Sequence, residues 1–292
     1  MGAHIDSINL YLPALFRSPG ADDDSSGATI LLEAFHVLVN HGVGVQENSL
    51  EFHFYSGEEA GLKGSQDVFQ FYESAEKQVV AFLQFDTVGS IKKTINAGEP
   101  ESIGMVTDFV DLGLLWFIQM LVGTYLDIPW VATRCGYACS DHASGRKAGY
   151  ASALVTEGEL RYVPDGLHSS GDTVDGLNFI HMLRYAKLAV AFACELAYAE
   201  LPDFDHDAWN IRRKRGFDDG FIGSLHRFAA ARAADPLGFG LWFVVLVVLI
   251  ILMKPWRECA SLLSLFGRLF RRLFTVIGAR RKYFRLPSNI ID

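Results

Sequence analysis

Apolar positions recur along the first two hundred residues with two different periods. Ile30, Leu31, Ala34, Phe35 and Leu38 fall on one face at helical spacing, which predicts a helix from Gly27 to His41 capped by Ser25 and Ser26. Leu50 to Tyr55 alternates and predicts a strand. Gly61 to Ser74 reads as a helix, and the continuous apolar run Val79 to Phe85 as a strand buried on both faces. Asp108 to Thr124 predicts a helix, Ala151 to Val155 a strand, and Phe179 to Glu200 a long helix with alanine-rich packing positions. Strands alternating with helices give an α/β domain: three layers, helix–sheet–helix, around a mostly parallel sheet. Sites in such sheets lie at the carboxyl ends of the strands.

The pattern changes after residue 200. Residues 203–235 mix charge and glycine, and 201–236 reads as a linker. Leu237 to Met253 follows, seventeen residues without a charge, apolar all round. At 1.5 Å per residue the run spans about 26 Å, enough for a transmembrane helix in a thin bilayer with Lys254 snorkelling. From Leu262 onward, leucines and phenylalanines recur at helical spacing among Arg268, Arg271 and Arg272. Residues 254–292 therefore read as a basic amphipathic tail on an anionic leaflet.

Charge follows the same division. Of the 292 residues, the first 209 hold 11 Lys/Arg and 29 Asp/Glu, and the remaining 83 hold 15 and 5. The acidic part argues against a nucleic-acid partner, because phosphate contacts need a basic surface. Five Lys/Arg lie within twenty residues after the apolar run and two before it. This predicts a cytosolic C-terminus and a lumenal or extracellular acidic domain, in the secretory pathway or a vacuole. Arg212 to Arg215 pull the other way, and the residues from Met1 show no signal peptide.

Five places combine histidines and carboxylates beside predicted strand ends or helix starts. They are His4-Ile5-Asp6, Asp22-Asp23-Asp24, Glu58-Glu59, Asp86 and His168. Histidine and carboxylate together suit zinc or another divalent ion. Each alone has a plainer reading, as a packed histidine, a helix cap or a first-turn acidic pair. Cys135 and Cys139 fit a zinc clip, a disulfide or two buried thiols, while Cys194 and Cys259 read as free thiols. The contiguous Ser140-Asp141-His142 cannot make a serine triad, because triad members approach one another in space and not along the chain.

Taken together and in order, the motifs GAHIDS, PGADDDSSG, SGEEAGLKGSQ, LQFDTVG, CGYACSDHAS and HSSGDT carry a resemblance. From Gly2 to about Tyr198 the chain resembles the co-catalytic di-zinc aminopeptidases of the bacterial and fungal leucyl aminopeptidase type, kin to glutamate carboxypeptidases and glutaminyl cyclases. The resemblance implies a metallo-exopeptidase with two zinc ions and a peptide substrate. It implies metal ligands at His4, Asp23, Glu59, Asp86 and His168. Asp23 bridges, His4 and Asp86 share one ion, and Glu59 and His168 share the other. It implies Glu58 as general base, Tyr137 as oxyanion donor, Asp6 as hydrogen-bond partner of the His4 ring, and a Cys135–Cys139 disulfide. Val106, Leu154, Leu160, Val163 and Leu167 fall where the family lines its side-chain pocket, which suggests hydrophobic N-terminal residues. Members carry a strand-rich third before the first motif, so the resemblance implies that the start of the domain is missing from this sequence. Three alternatives stay open on sequence: an inactive membrane-anchored remnant or interaction protein, a carboxypeptidase, and a glutaminyl cyclase. Oligomeric state is not readable.

Overall fold

A computed structural model of the chain describes residues 1–13, 15–43 and 47–199. The linker 201–236, the apolar run 237–253, the tail 254–292 and Cys259 lie outside the described residues. Among the described residues no helix is long and apolar enough to cross a membrane.

Six strands form one mixed sheet: β1 (Gly2–His4), β2 (His53–Tyr55), β3 (Phe82–Phe85), β4 (Ile103–Val106), β5 (Trp130–Thr133) and β6 (Ser152–Thr156). Their order is β2-β1-β3-β6-β4-β5. Every neighbouring pair is parallel except β4 with β6. The helices are α1 (Ser25–Asn40), α2 (Lys63–Ser74), α3 (Lys92–Asn96), α4 (Leu112–Tyr125), α5 (His142–Lys147) and α6 (Phe179–Ala197). Alternation along β3 sorts the two faces. Leu83 and Phe85 join the core packed under α1, α4 and α6, while Phe82 joins Tyr55, Phe69, Ala148 and Tyr150 under α2 and α5. The predicted α/β architecture with a mostly parallel sheet is what the structure shows.

Boundaries moved for identifiable reasons. The α1 cap is Asp24 and not Ser25 or Ser26: its Oδ1 accepts the Gly27 N–H at 2.9 Å. The α4 cap is Asp111, which accepts the Leu114 N–H at 2.8 Å, so the helix starts later than Asp108. Asp108 faces away and accepts the N–H groups of Cys135 and Gly136 at 3.1 and 2.7 Å. β2 and β3 each begin three residues later than their apolar runs. β1 lies between them and begins at Gly2, so Leu50–Phe52 and Val79–Ala81 flank a position that no described strand fills. A cavity of about 650 Å³ occupies that position, lined by Met1, Leu50, Val79, Val80, Phe192 and Leu196. Its inner end is marked by the Met1 ammonium, which donates to the Glu51 carbonyl at 2.9 Å.

Sequence pattern did not predict β1, β4, β5, α3 or α5. Each spans three to six residues, too few for a period to show.

Candidate metal centre

Because β1, β2 and β3 are parallel, their carboxyl ends open on one edge of the sheet. His4 is the last residue of β1, Asp86 directly follows β3, and Glu58 and Glu59 sit in the turn after β2. Asp23 arrives from the start of α1, and His168 from the loop ahead of α6.

Two triads of possible ligands share one residue. His4 Nε2 lies 3.0 Å from Asp23 Oδ1 and 3.7 Å from Asp86 Oδ2. His168 Nε2 lies 2.8 Å from Asp23 Oδ2 and 3.4 Å from Glu59 Oε2. Within each triad one ligand atom per residue falls within 4.8 Å of the others. Asp23 therefore turns one oxygen to each triad. All five side chains named from sequence meet here, divided as the resemblance implied.

The donor set fits divalent ions. Each triad offers one imidazole and two carboxylates, a number and type of ligand that leave a position open for water or substrate. The electrostatics agree. Burial and the neighbouring Asp86 push the Glu58 carboxyl up to about 9, and burial with Asp23 pushes Glu59 up to about 7. Burial would favour a neutral His4, but Asp86 and Asp23 beside the ring outweigh it and raise its pKa. The hydrogen bond to Asp23 raises His168 against its partial burial. Burial opposes ionisation of Asp23 too, yet the two rings hold it down at about 2. Negative charge is thus crowded where cations would relieve it. One buried oxygen of Glu59, Oε1, has no hydrogen-bond partner.

Carboxylates that bind backbone amides hold these segments in place. Asp24 is fully buried. Its Oδ2 accepts the His4 N–H at 3.1 Å, and its Oδ1 accepts those of Gly27 at 2.9 Å and Thr87 at 3.3 Å. Gly27 must be glycine, since a Cβ there would lie 2.5 Å from Asp24 Oδ1 and 2.6 Å from the Phe85 carbonyl. Asp172 accepts the N–H of Asp22 at 2.8 Å and of Asp23 at 3.1 Å. Ser140 Oγ donates to Asp86 Oδ2 at 2.5 Å, which gives the Ser140-Asp141-His142 stretch a supporting place beside the site. The Asp23–Asp24 peptide bond is cis. His168 has φ +53°, a left-handed conformation costing roughly 1–2 kcal/mol outside glycine, and its carbonyl is held by the Leu10 N–H at 3.0 Å.

Asp6 differs from its expected contact. The His4 ring meets the Asp6 backbone carbonyl, with Nδ1 to O at 3.0 Å, while the nearest carboxylate oxygen is 3.8 Å away. That carboxylate accepts the N–H groups of Glu58 and Glu59 at 3.1 and 3.2 Å. A residue two positions beyond the ligand can curl its carbonyl back to the ring and leave its side chain free for the neighbouring turn.

A cavity of about 500 Å³ opens over the triads. Its wall includes Glu58, Tyr137, Leu154, Leu160, Val163 and Leu167 from the expected set, together with Arg134, Thr87 and Thr156. Val106 is a correction. It is fully buried in β4 and packs in the core, and it is not part of the cavity wall. Tyr137 stands exposed on a loop closed by a Cys135–Cys139 disulfide, with Cα atoms 6.1 Å apart. Cys194 is a free thiol. Sequence reading passed over Asp24 as an amide clamp and Asp172 altogether. Their only signal was their place in the motifs that carry Asp23 and His168.

The chain is similar to known proteins in sequence and fold. The family model described as Peptidase family M28 matches residues 1–193. Leucine aminopeptidase 1 of Phaeosphaeria nodorum is 53% identical over 203 residues, which cover 68% of this chain and 52% of that protein. The crystal structure of the LapA aminopeptidase of Legionella pneumophila superposes with a TM-score of 0.59 at 34% identity, over 68% of this chain and 50% of that one. A zinc aminopeptidase of Bacillus subtilis shares the fold, with a TM-score of 0.54 at 22% identity over 70% of this chain and 47% of that one. The chain spans about half the length of the curated relatives it matches.

Proposed function

From the chain's membership of peptidase family M28, we propose that it is a zinc aminopeptidase that releases N-terminal residues from peptides. The observation that carries this reading is the division of Asp23, whose two oxygens face His4 and His168 at 3.0 and 2.8 Å. His4, Asp23 and Asp86 would hold one zinc, and Asp23, Glu59 and His168 the second. When bound, the ions acidify a water and polarise the scissile carbonyl.

The chain's own residues do the rest. Glu58 belongs to neither triad, so its carboxylate is free to take the proton of the water and return it to the leaving amine. Asp6 fixes the turn so that base and ligand, adjacent in sequence, keep separate tasks. Tyr137 reaches over the cavity and donates to the carbonyl oxygen as negative charge develops there. Leu154, Leu160, Val163 and Leu167 form an apolar wall that suits a hydrophobic N-terminal side chain.

Segment 237–253 is read as a membrane anchor that leaves this domain lumenal or extracellular and residues 254–292 cytosolic. Protease protection in microsomes tests it: cleavage of the domain from the cytosolic side would reverse the orientation.

Elemental analysis with a turnover assay tests the enzyme. Two zinc ions per chain and release of leucine from Leu-p-nitroanilide are expected. Zinc-free, inert protein would support the remnant reading instead.

A further inference from the structure

Arg134 is the only lysine or arginine in the wall of the site cavity among the described residues. Among the described residues no carboxylate lies within 4 Å of its guanidinium. Lys93 pairs with Asp165, Arg161 with Glu159 and Arg184 with Glu101, all away from this cavity.

Its position is fixed from both sides. Arg134 follows the last residue of β5, where the Thr133 carbonyl accepts the Thr107 N–H at 3.0 Å and Thr133 Oγ1 accepts the Leu160 N–H at 3.0 Å. On the other side, Asp108 accepts the N–H groups of Cys135 and Gly136, and the disulfide closes the turn. The pinned backbone fixes where the side chain begins, and guanidinium matches carboxylate in a two-point geometry.

The charge of the cavity decides what it would take. Asp23, Glu58, Glu59 and Asp86 bring four negative charges, which two divalent ions would balance. With those charges matched by the ions, Arg134 remains a cation in the wall that none of these carboxylates pairs with. A peptide substrate entering by its N-terminus presents its only obligatory anion, the C-terminal carboxylate, at the opposite end. In a cavity of about 500 Å³ that end remains inside only when the peptide is short. Successive Cα atoms are about 3.8 Å apart, so the carboxylate of a dipeptide lies one residue beyond the scissile carbonyl.

We propose that Arg134 grips the C-terminal carboxylate of short peptides, making dipeptides and tripeptides with a free C-terminus the preferred substrate class. The proposal rests on the aminopeptidase reading above and adds a specificity-determining residue to it.

The test compares Leu-Gly with its C-terminal amide, Leu-Gly-NH2, on the full chain loaded with zinc. The ratio of kcat/KM for acid over amide is expected to favour the acid by about tenfold, the scale of one charge-assisted hydrogen bond. In Arg134→Gln the ratio should fall to near one, mainly through KM for the acid. In Arg134→Lys it should fall only partly, because the charge stays and the two-point geometry goes. Calorimetry on the Glu58→Gln protein reads the same discrimination as binding, without turnover. A wild-type ratio near one, or a ratio that Arg134→Gln leaves in place, overturns the assignment. Failure of the wild-type protein to cleave any peptide or anilide overturns the aminopeptidase reading itself.

Discussion

Asp6 Oδ1 accepts the backbone N–H of Glu58 at 3.1 Å. The other oxygen of the same carboxylate accepts the N–H of Glu59 at 3.2 Å. One side chain two residues beyond β1 therefore sets the turn after β2 from which both Glu58 and Glu59 project. Asp6→Ala should lower kcat/KM by about 10–100-fold and weaken retention of the zinc held by Glu59, the scale seen when groups supporting metal ligands are removed. Asp6→Asn keeps one acceptor and should lose less. Steady-state kinetics beside elemental analysis measures both.

Glu58→Gln should keep two zinc ions per chain while turnover falls by about 10²–10⁴-fold. The amide is isosteric and the Asp6 contact is to the backbone, so the turn survives. Loss of one zinc in this variant would mean that Glu58 is the ligand and Glu59 the base.

Metal uptake should release protons. In the ion-free site His4 and His168 are raised, Glu59 sits at about 7 and Glu58 at about 9, so near neutrality several of these groups hold protons. Zinc takes only the deprotonated imidazole and carboxylate. Raising the pH from about 6 to 8 therefore removes the competing protons and should tighten zinc binding, while acid should weaken it. Calorimetric titration in two buffers of different ionisation enthalpy gives the number released. A heat independent of buffer would contradict the ligand set.

The described domain should lose stability in mild acid through His142. The ring is fully buried at the start of α5, neither nitrogen has a hydrogen-bond partner, and burial pulls its pKa down to about 4 against the opposing effect of Asp108. In the unfolded chain it titrates near 6.5. Above that value both states are neutral and the group contributes no pH dependence. As pH falls from about 6.5 to 4, only the unfolded state gains the proton, and stability drops by on the order of 3 kcal/mol. His142→Phe should flatten this part of the profile, read as urea midpoints at pH 7.5 and 5.

Much of this was legible in the residues. The helices now α1, α4 and α6 announced themselves by apolar spacing, and the five candidate ligands that meet in space by their order along the chain. What was hidden was local and directional. Three-residue β1 has no room for an alternating pattern, yet it carries His4. Asp24 and Ser25 are equally good caps on paper, and the choice falls to Asp24 because its carboxylate also reaches the amides of His4 and Thr87. Val106 is apolar like its expected pocket neighbours, but whether an apolar residue ends in a wall or in the core is set by what packs over it, and Val106 is fully covered. The shortened β2 and β3 have the same origin: a strand needs a neighbour, and apolar character alone does not supply one.

The single carboxylate of Asp24 joins the end of β1, the first turn of α1 and the residue after Asp86. Three of the segments that deliver ligands thus share one knot. A chain that has closed this knot has brought His4, Asp23 and Asp86 together before any ion arrives, and a chain that has not closed it lacks a helix start as well as a site. Quality control for folding and for metal readiness is therefore one event. A change at Asp24 that loosens the fold would loosen the site with it.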